Sequence, residues 1–341
     1  MPPTRTMSRL ALLLAVCGLL LGACEREKPY PARTINGVIA WGAGGGTDSV
    51  SRMLTPIAEQ TLGGPITLTN KTGGTGSVAT QAVFDQKADG YTLLFNAENP
   101  QLYQPLGLSK LSYDDFEPIL LSVQGSTVVV VTNDSPYQTY ADLISAAKTD
   151  PGKISIGISG IGGHPYVAAA ILGKIEGVSF NQVAFDGDGP LLNALLGKQL
   201  GVSGIAVGAA AKHIKSGELR ALAIMQNAPN PALPEVPPIG TLNPAYAPII
   251  KASGFFYGIW VKKGTPPVLI DKLTIAYKTA FADPKFQDYA RSNGYTLMGI
   301  SGKEAKDFAK AWQSQMAWLI YDAGGAKDSP DKFGIPRPAA N

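Results

Sequence analysis

The 341-residue chain has few of the residues from which metal and catalytic centres are made, with only two cysteines and two histidines. Cys17 falls inside an apolar leader, so processing would leave Cys24 alone. A single thiol allows neither an intrachain disulfide nor a thiolate metal site. His164 and His213 are the only imidazoles, which excludes a polyhistidine metal centre. Excess charge of one sign is also missing. The formal charge is +3, and removal of Arg5 and Arg9 with the leader lowers it to +1. With no basic stripe, the chain lacks the footprint of a nucleic-acid binder. Beyond the leader no run approaches the ~18 apolar residues of a membrane span.

Nucleotide and hydrolase motifs are absent as well. The first glycine loop, Gly42-x-Gly44-x-x-Thr47, lacks the third glycine of a dinucleotide fingerprint. Asn70 stands where a ribose-binding acid would be expected, and no GxxxxGK[ST] occurs. Gly157–Ile161 and Gly201–Ile205 both lack the final glycine of GxSxG. No nucleophile is accompanied by a base and an orienting acid. The expectation is therefore a protein that is not an enzyme and needs no cofactor.

What is present begins with the leader. Arg5 and Arg9 precede an apolar run from Leu10 to Leu21, of signal-peptide length. Leu21-Gly22-Ala23-Cys24 follows and resembles the bacterial lipoprotein cleavage box. Residues 1–23 are read as a signal peptide, Cys24 as the lipidated residue and 24–33 as a tether. Two or more acyl chains would anchor the protein stably to the membrane of the cell envelope. An ordinary signal peptide with an incidental cysteine is the alternative.

The body is globular, with 45% apolar and 16% charged residues. Strand, glycine loop and amphipathic helix alternate from residue 37 onward. Val50, Met53, Leu54, Ile57 and Ala58 form a helical stripe, and Thr47 or Asp48 is placed to cap that helix. The order predicts an α/β protein of two lobes, each a mostly parallel sheet flanked by helices. Lobe one takes 34–127 and 253–341, and lobe two takes 128–252. Two crossing segments, near 123–133 and 249–260, would form the hinge. The protein is expected to be a monomer.

Three glycine loops follow strands and precede helices: 42–48, 71–77 and 159–164. Free N–H groups at helix starts favour anions, and glycine lets a ligand approach the backbone. Three equivalent loops from two lobes point to one shared cleft, although each alone could be only a tight turn. The candidate ligand-binding residues are Trp41, Gly44, Gly45, Gly46, Thr47, Asp48, Thr75, Ser77, Ser159, Gly162, His164, Phe185, Asp186 and Asp188. Packing or capping would account equally for Trp41, Asp48 and His164 taken one at a time. His213 reads as a surface residue.

In order along the chain, Gly44-Gly45-Gly46-Thr47-Asp48, Arg52, Gly73-Gly74-Thr75-Gly76 and Asp89-Gly90-Tyr91-Thr92-Leu93-Leu94 closely resemble the substrate-binding proteins of tripartite tricarboxylate transporters. Ser159–His164, Gly187-Asp188-Gly189-Pro190 and Ile214–Ala223 match as well. The resemblance implies a two-lobed periplasmic-binding-protein fold of type II and delivery of a small carboxylate to membrane permease subunits. It also implies a ligand held by loop amides, hydroxyls and waters, with Asp48 orienting loop groups and Trp41 near the ligand. The sequence departs from the family pattern at Ala40, where a proline is common, and at Phe185-Asp186, where tyrosine and a basic residue are frequent. Asp186 and Asp188 would oppose a multiply charged anion. A monocarboxylate, an aromatic acid, an amide or a zwitterion is expected over citrate. A sensor or surface adaptor on the same scaffold is the alternative to transport.

Overall fold

A computed structural model of the chain describes residues 29–250 and 254–339. The leader, its cleavage box and Cys24 lie outside them. In chain order the elements are β1 (Ile35–Ile39), α1 (Gly46–Leu62), β2 (Ile66–Asn70), α2 (Ser77–Phe84), β3 (Thr92–Asn96), β4 (Phe116–Gly125) and β5 (Thr127–Thr132). Then come α3 (Tyr140–Thr149), β6 (Ser155–Ile158), α4 (His164–Glu176), β7 (Asn181–Ala184), α5 (Asp188–Leu196), β8 (Val202–Ala206), α6 (Val207–Lys215) and β9 (Leu219–Ile224). The chain ends with β10 (Phe255–Lys262), α7 (Pro267–Ala282), α8 (Pro284–Ser292), β11 (Thr296–Ile300) and α9 (Gly302–Asp322).

The strands form two sheets, ordered β11-β4-β10-β3-β1-β2 and β7-β6-β8-β5-β9. Both are mixed rather than mostly parallel. β1 pairs in parallel with β2 and β3, and β6 with β7 and β8. β10 is antiparallel to β3 and β4, and β5 is antiparallel to β8 and β9. The reason is the connection between lobes. A strand that enters a lobe at the cleft must run away from it, whereas strands whose carboxyl ends face the cleft run toward it. β5 enters the second lobe and β10 enters the first.

The helix stripe behaves as its spacing predicts. Val50, Leu54 and Ala58 of α1 are buried, and Met53 and Ile57 flank them half-buried. Gly63 ends α1 in the left-handed conformation, its N–H returning to the Glu59 carbonyl, an ordinary C-terminal cap. Trp260, Phe95, Phe256 and Tyr277 are fully buried in the first lobe, each stabilising it by about 2–3 kcal/mol through burial. In β5, Val128–Val131 are buried on both faces, the pattern of a strand covered on both sides.

Two strands escaped the sequence reading. β8 is buried at every position, so it lacks the alternation that marks a half-exposed strand. Its small residues admit a close neighbour, since Gly204 faces the Pro165 backbone of α4. β11 is a short edge strand whose register with β4 slips between Leu297 and Ile300. The end of the expected tether is not free. Tyr30 stacks edge-on against Tyr91 and donates a hydrogen bond to the Gly90 carbonyl at 2.7 Å, and Arg33 pairs with Asp89.

Candidate functional site

The carboxyl ends of β1, β3, β6 and β7 face one another across the space between the lobes. Trp41, Gly45, Gly46, Thr47, Ala97, Asn99 and Tyr257 line a cavity there from the first lobe, and Ser159, His164, Gly187 and Asp188 line it from the second. The helices that start at this cavity are α1, α4 and α5, with 17, 13 and 9 residues. Their N-caps are Gly45, Gly163 and Gly187, and none supplies a side-chain cap. First-turn N–H groups are thus left to the cavity, and the positive ends of the helix dipoles converge there. No lysine or arginine is among the lining residues. An anion would be held by peptide donors.

Glycine is required at specific points. Gly187 has φ +109°, a conformation closed to other residues at little cost. At Gly46 a Cβ would collide with the Tyr257 hydroxyl, so the start of α1 can rest on β10 only without a side chain. Burial raises the Tyr257 phenol well above its usual pKa, which keeps it a neutral hydroxyl.

Asp48 is not an N-cap, because α1 starts at Gly46. Its Oδ2 accepts the Gly44 N–H at 3.0 Å, and its Oδ1 accepts Arg52 Nε at 2.8 Å and Asn70 Nδ2 at 2.9 Å. Asn70 Nδ2 also reaches the Trp41 carbonyl at 2.8 Å. The network fixes the first glycine loop to the ends of β1 and β2. The Trp41 indole N–H is occupied by Asn96 Oδ1 at 2.9 Å, so the ring presents apolar surface. In the second lobe, His164 donates through Nε2 to the Asp188 carboxylate at 3.0 Å, and its Nδ1 lies 2.8 Å from the Thr127 hydroxyl. Asp188 also accepts the Ala206 N–H at 3.1 Å. Its charge is spent on holding His164 and the end of β8.

The lobes are closed on one another. Gly42 N–H donates to the Asp186 carbonyl at 2.9 Å, the Thr72 hydroxyl to Asp186 Oδ2 at 3.1 Å, and Asn99 Nδ2 to the Gly162 carbonyl at 2.8 Å. The cavity left between them is about 20 Å³, room for about one water. Entry of a ligand therefore requires the lobes to part.

Of the residues singled out from sequence, Trp41, Gly45, Gly46, Thr47, Ser159, His164 and Asp188 are brought together on the cavity wall. The others lie around it. Asp186 faces Thr72 at the rim, and Gly162 serves as a backbone acceptor of the closure. Thr75 meets Gly160 across the cleft, where a Cβ on the glycine would strike its hydroxyl. Gly44 is held by Asp48, Ser77 begins α2, and Phe185 packs half-buried on the second-lobe core. His213 is paired with Glu218 at 2.8 Å and does not line the cavity.

Ala97, Asn99, Gly187 and Tyr257 line the cavity without having been singled out as contacts. Position after the carboxyl end of a parallel strand is a signal that would have flagged Ala97 and Asn99. Between them lies Glu98, 1% exposed. Burial raises its carboxyl to about 7, with His164 acting in the opposite direction. A raised acid stabilises the fold only while protonated. Between the ordinary glutamate range and about 7 the folded chain keeps the proton and the unfolded chain does not, so stability falls as pH rises. The expected loss is on the order of 3 kcal/mol by about pH 8. Glu98→Gln should flatten that slope, read from urea midpoints at acid and alkaline pH. A variant with the wild-type slope would assign the effect elsewhere.

A family model described as "Tripartite tricarboxylate transporter family receptor" matches residues 50–324. Protein BugT of Bordetella pertussis is 30% identical over 321 residues, spanning 92% of this chain and 97% of its own. Among solved structures, the periplasmic binding protein BugD superposes with a TM-score of 0.82 at 29% identity, covering 87% of this chain and 99% of its own. R. palustris Rpa4515 with adipate superposes at 0.80 with 23% identity, covering 86% and 98%.

Proposed function

Since this chain belongs to the tripartite tricarboxylate transporter family of receptors, a family of periplasmic binding proteins, we propose that it captures a small organic carboxylate between its lobes and delivers it to a membrane permease. The observation that carries this reading is the convergence of three uncapped helix starts on one cavity whose lining contains no lysine or arginine. Peptide donors and helix dipoles are suited to one carboxylate. Trp41, Tyr257 and the His164 ring supply flat, largely apolar wall. This favours a monocarboxylate or an aromatic acid over citrate. Adipate in a protein of the same fold agrees with carboxylate chemistry.

The assigned contacts are Trp41, Gly45, Gly46, Thr47, Ser159, His164, Gly187 and Asp188, with Asp48 and Asp186 supporting them. The lobes comprise 34–127 with 253–341, and 128–252. The ligand docks on first-lobe loops, the second lobe closes over it, and the permease reads the closed shape. Closure is driven only by the ligand's greater affinity for the closed state. Cys24 carries the lipid anchor, and the receptor acts as a monomer.

A thermal-shift screen of organic acids, with mass spectrometry of any co-purified ligand, tests the reading. Stabilisation by at least one carboxylate is expected. No response to any acid, together with a bound ligand of another class, would refute it. Trp41 supplies a second test. It is the one tryptophan on the cavity wall, whereas Trp260, Trp312 and Trp318 are buried in the first lobe. Ligand addition should change tryptophan emission, and Trp41→Phe should remove most of that change. A full signal in the variant would take Trp41 out of the site.

A further inference from the structure

The four residues that lead into β1 are clamped to the first lobe. Tyr30 donates its hydroxyl to the Gly90 carbonyl at 2.7 Å and meets the Tyr91 ring edge-on. Pro31 packs so closely on Gly64 that a Cβ there would collide with its ring. The Ala32 N–H donates to the Tyr91 hydroxyl at 2.8 Å. Arg33 pairs with Asp89 at 3.2 Å and lays its guanidinium over the Tyr91 ring, 3.9 Å from the centre. The exposed ion pair contributes little alone, but the contacts act together on one short stretch. All the partners share one location. Gly64 precedes β2, and Asp89, Gly90 and Tyr91 precede β3. Both places are at the amino ends of parallel strands whose carboxyl ends face the cleft. The clamp therefore sits on the pole of lobe one that points away from the ligand cavity.

The length of chain before the clamp sets how far that pole can stand from a membrane. Five residues, Glu25 to Pro29, separate Cys24 from Tyr30. Fully extended, they reach about 20 Å, less than the ~30 Å diameter of a small domain. Without the clamp the first fixed residue would be Ile35 at the start of β1, and the reach would grow to about 40 Å. We propose that the clamp orients the receptor on the membrane, with the pole of lobe one that carries Tyr30–Arg33 set against the lipid surface. The cleft and lobe two are held away from the bilayer, so lobe one is the stationary half and lobe two the half that moves. This rests on the reading of Cys24 as the lipidated residue. Two exposed positions mark the opposite ends of the molecule. Val268, 60% exposed in the first turn of α7, lies at the pole of lobe one, because β10 runs from the cleft to that pole before α7 begins. Lys153, with a side chain 76% exposed, precedes β6 and lies at the far pole of lobe two.

The test is energy transfer from the processed, lipidated receptor to the membrane. Cys24 would be the only cysteine of the processed chain, so a cysteine introduced by Val268→Cys or Lys153→Cys takes a fluorescein label uniquely. The receptor is placed on vesicles of phosphatidylethanolamine and phosphatidylglycerol that carry a rhodamine-headgroup lipid. Transfer from position 268 should exceed that from position 153 several-fold. Tyr30→Ala combined with Arg33→Ala should bring the ratio toward one, with thermal melting reporting that the variant is folded. A Gly/Ser insert of about ten residues between Lys28 and Pro29 leaves the clamp intact, lengthens the tether and should also lower the ratio. Equal transfer from the two positions, or more from position 153, overturns the proposal and leaves the lipid anchor standing. So does a ratio that neither the folded double variant nor the insert changes. If mass spectrometry finds no lipid on Cys24 and the chain does not bind vesicles, the anchor reading fails, and this inference fails with it.

Discussion

Gly189→Ala should weaken ligand capture roughly tenfold to a hundredfold while leaving both lobes folded. Gly189 lies in the first turn of α5, where the second lobe meets the first glycine loop. A Cβ there would lie 3.2 Å from Gly45 N and closer still to the Ala43 carbonyl oxygen. The obstructing atoms are backbone from the other lobe, so no rotamer change relieves the contact. The lobes must stay apart. Overpacking of this kind costs about 1–3 kcal/mol, and each 1.4 kcal/mol is tenfold in affinity. Within its own helix, alanine is better than glycine by about 1 kcal/mol, so the isolated stability of lobe two should not fall. Loss of affinity without loss of melting temperature is therefore the signature, measured by calorimetry with any acid the screen selects. Gly42→Ala should act in the same direction, because its Cβ would lie 2.8 Å from the Asp186 carbonyl oxygen and the Pro190 ring. Unchanged affinity in Gly189→Ala would show that binding does not need this closure.

Removal of Asp48 should cost both stability and affinity. Its side chain is 6% exposed and receives hydrogen bonds from Gly44, Arg52 and Asn70. Asp48→Ala leaves the Gly44 N–H without this acceptor and removes one of two ties between α1 and the end of β2, the other being the Arg52–Asn70 hydrogen bond at 2.8 Å. Arg52 is 46% exposed, so water compensates for part of its loss and the ion pair itself contributes little. What remains is a buried network broken on one side, worth about 2–3 kcal/mol. For a chain of this size the melting temperature should fall by roughly 3–5 °C. Affinity should fall about tenfold or more, since Trp41 and Gly45 are positioned by the same loop. Arg52→Ala should be much milder on both counts. An Asp48→Ala protein with wild-type melting would show that the loop is held by other contacts.

The sequence by itself determined the alternation of strands and helices, the two-lobed α/β layout and the glycine loops that precede α1 and α4. These features are local. An amphipathic stripe such as Val50–Ala58, or a run such as Gly44-Gly45-Gly46, reports its conformation through neighbours a few residues away. The family resemblance read from those loops agrees with the relatives found. Sequence did not reveal β8, whose side chains are all buried and so show no alternation, or the antiparallel course of β5 and β10, which follows from passage between lobes. Nor could it separate wall from rim. Asp186 and Asp188 are two residues apart, yet one faces Thr72 and the other holds His164. That division depends on a close approach between chain segments more than a hundred residues apart. Glu98 is the sharpest case, because a glutamate in a polar stretch reads as exposed. Only the folding of β3 between β1 and β10, with His164 closing from the other lobe, turns it into a buried carboxyl group between the cavity-lining residues Ala97 and Asn99.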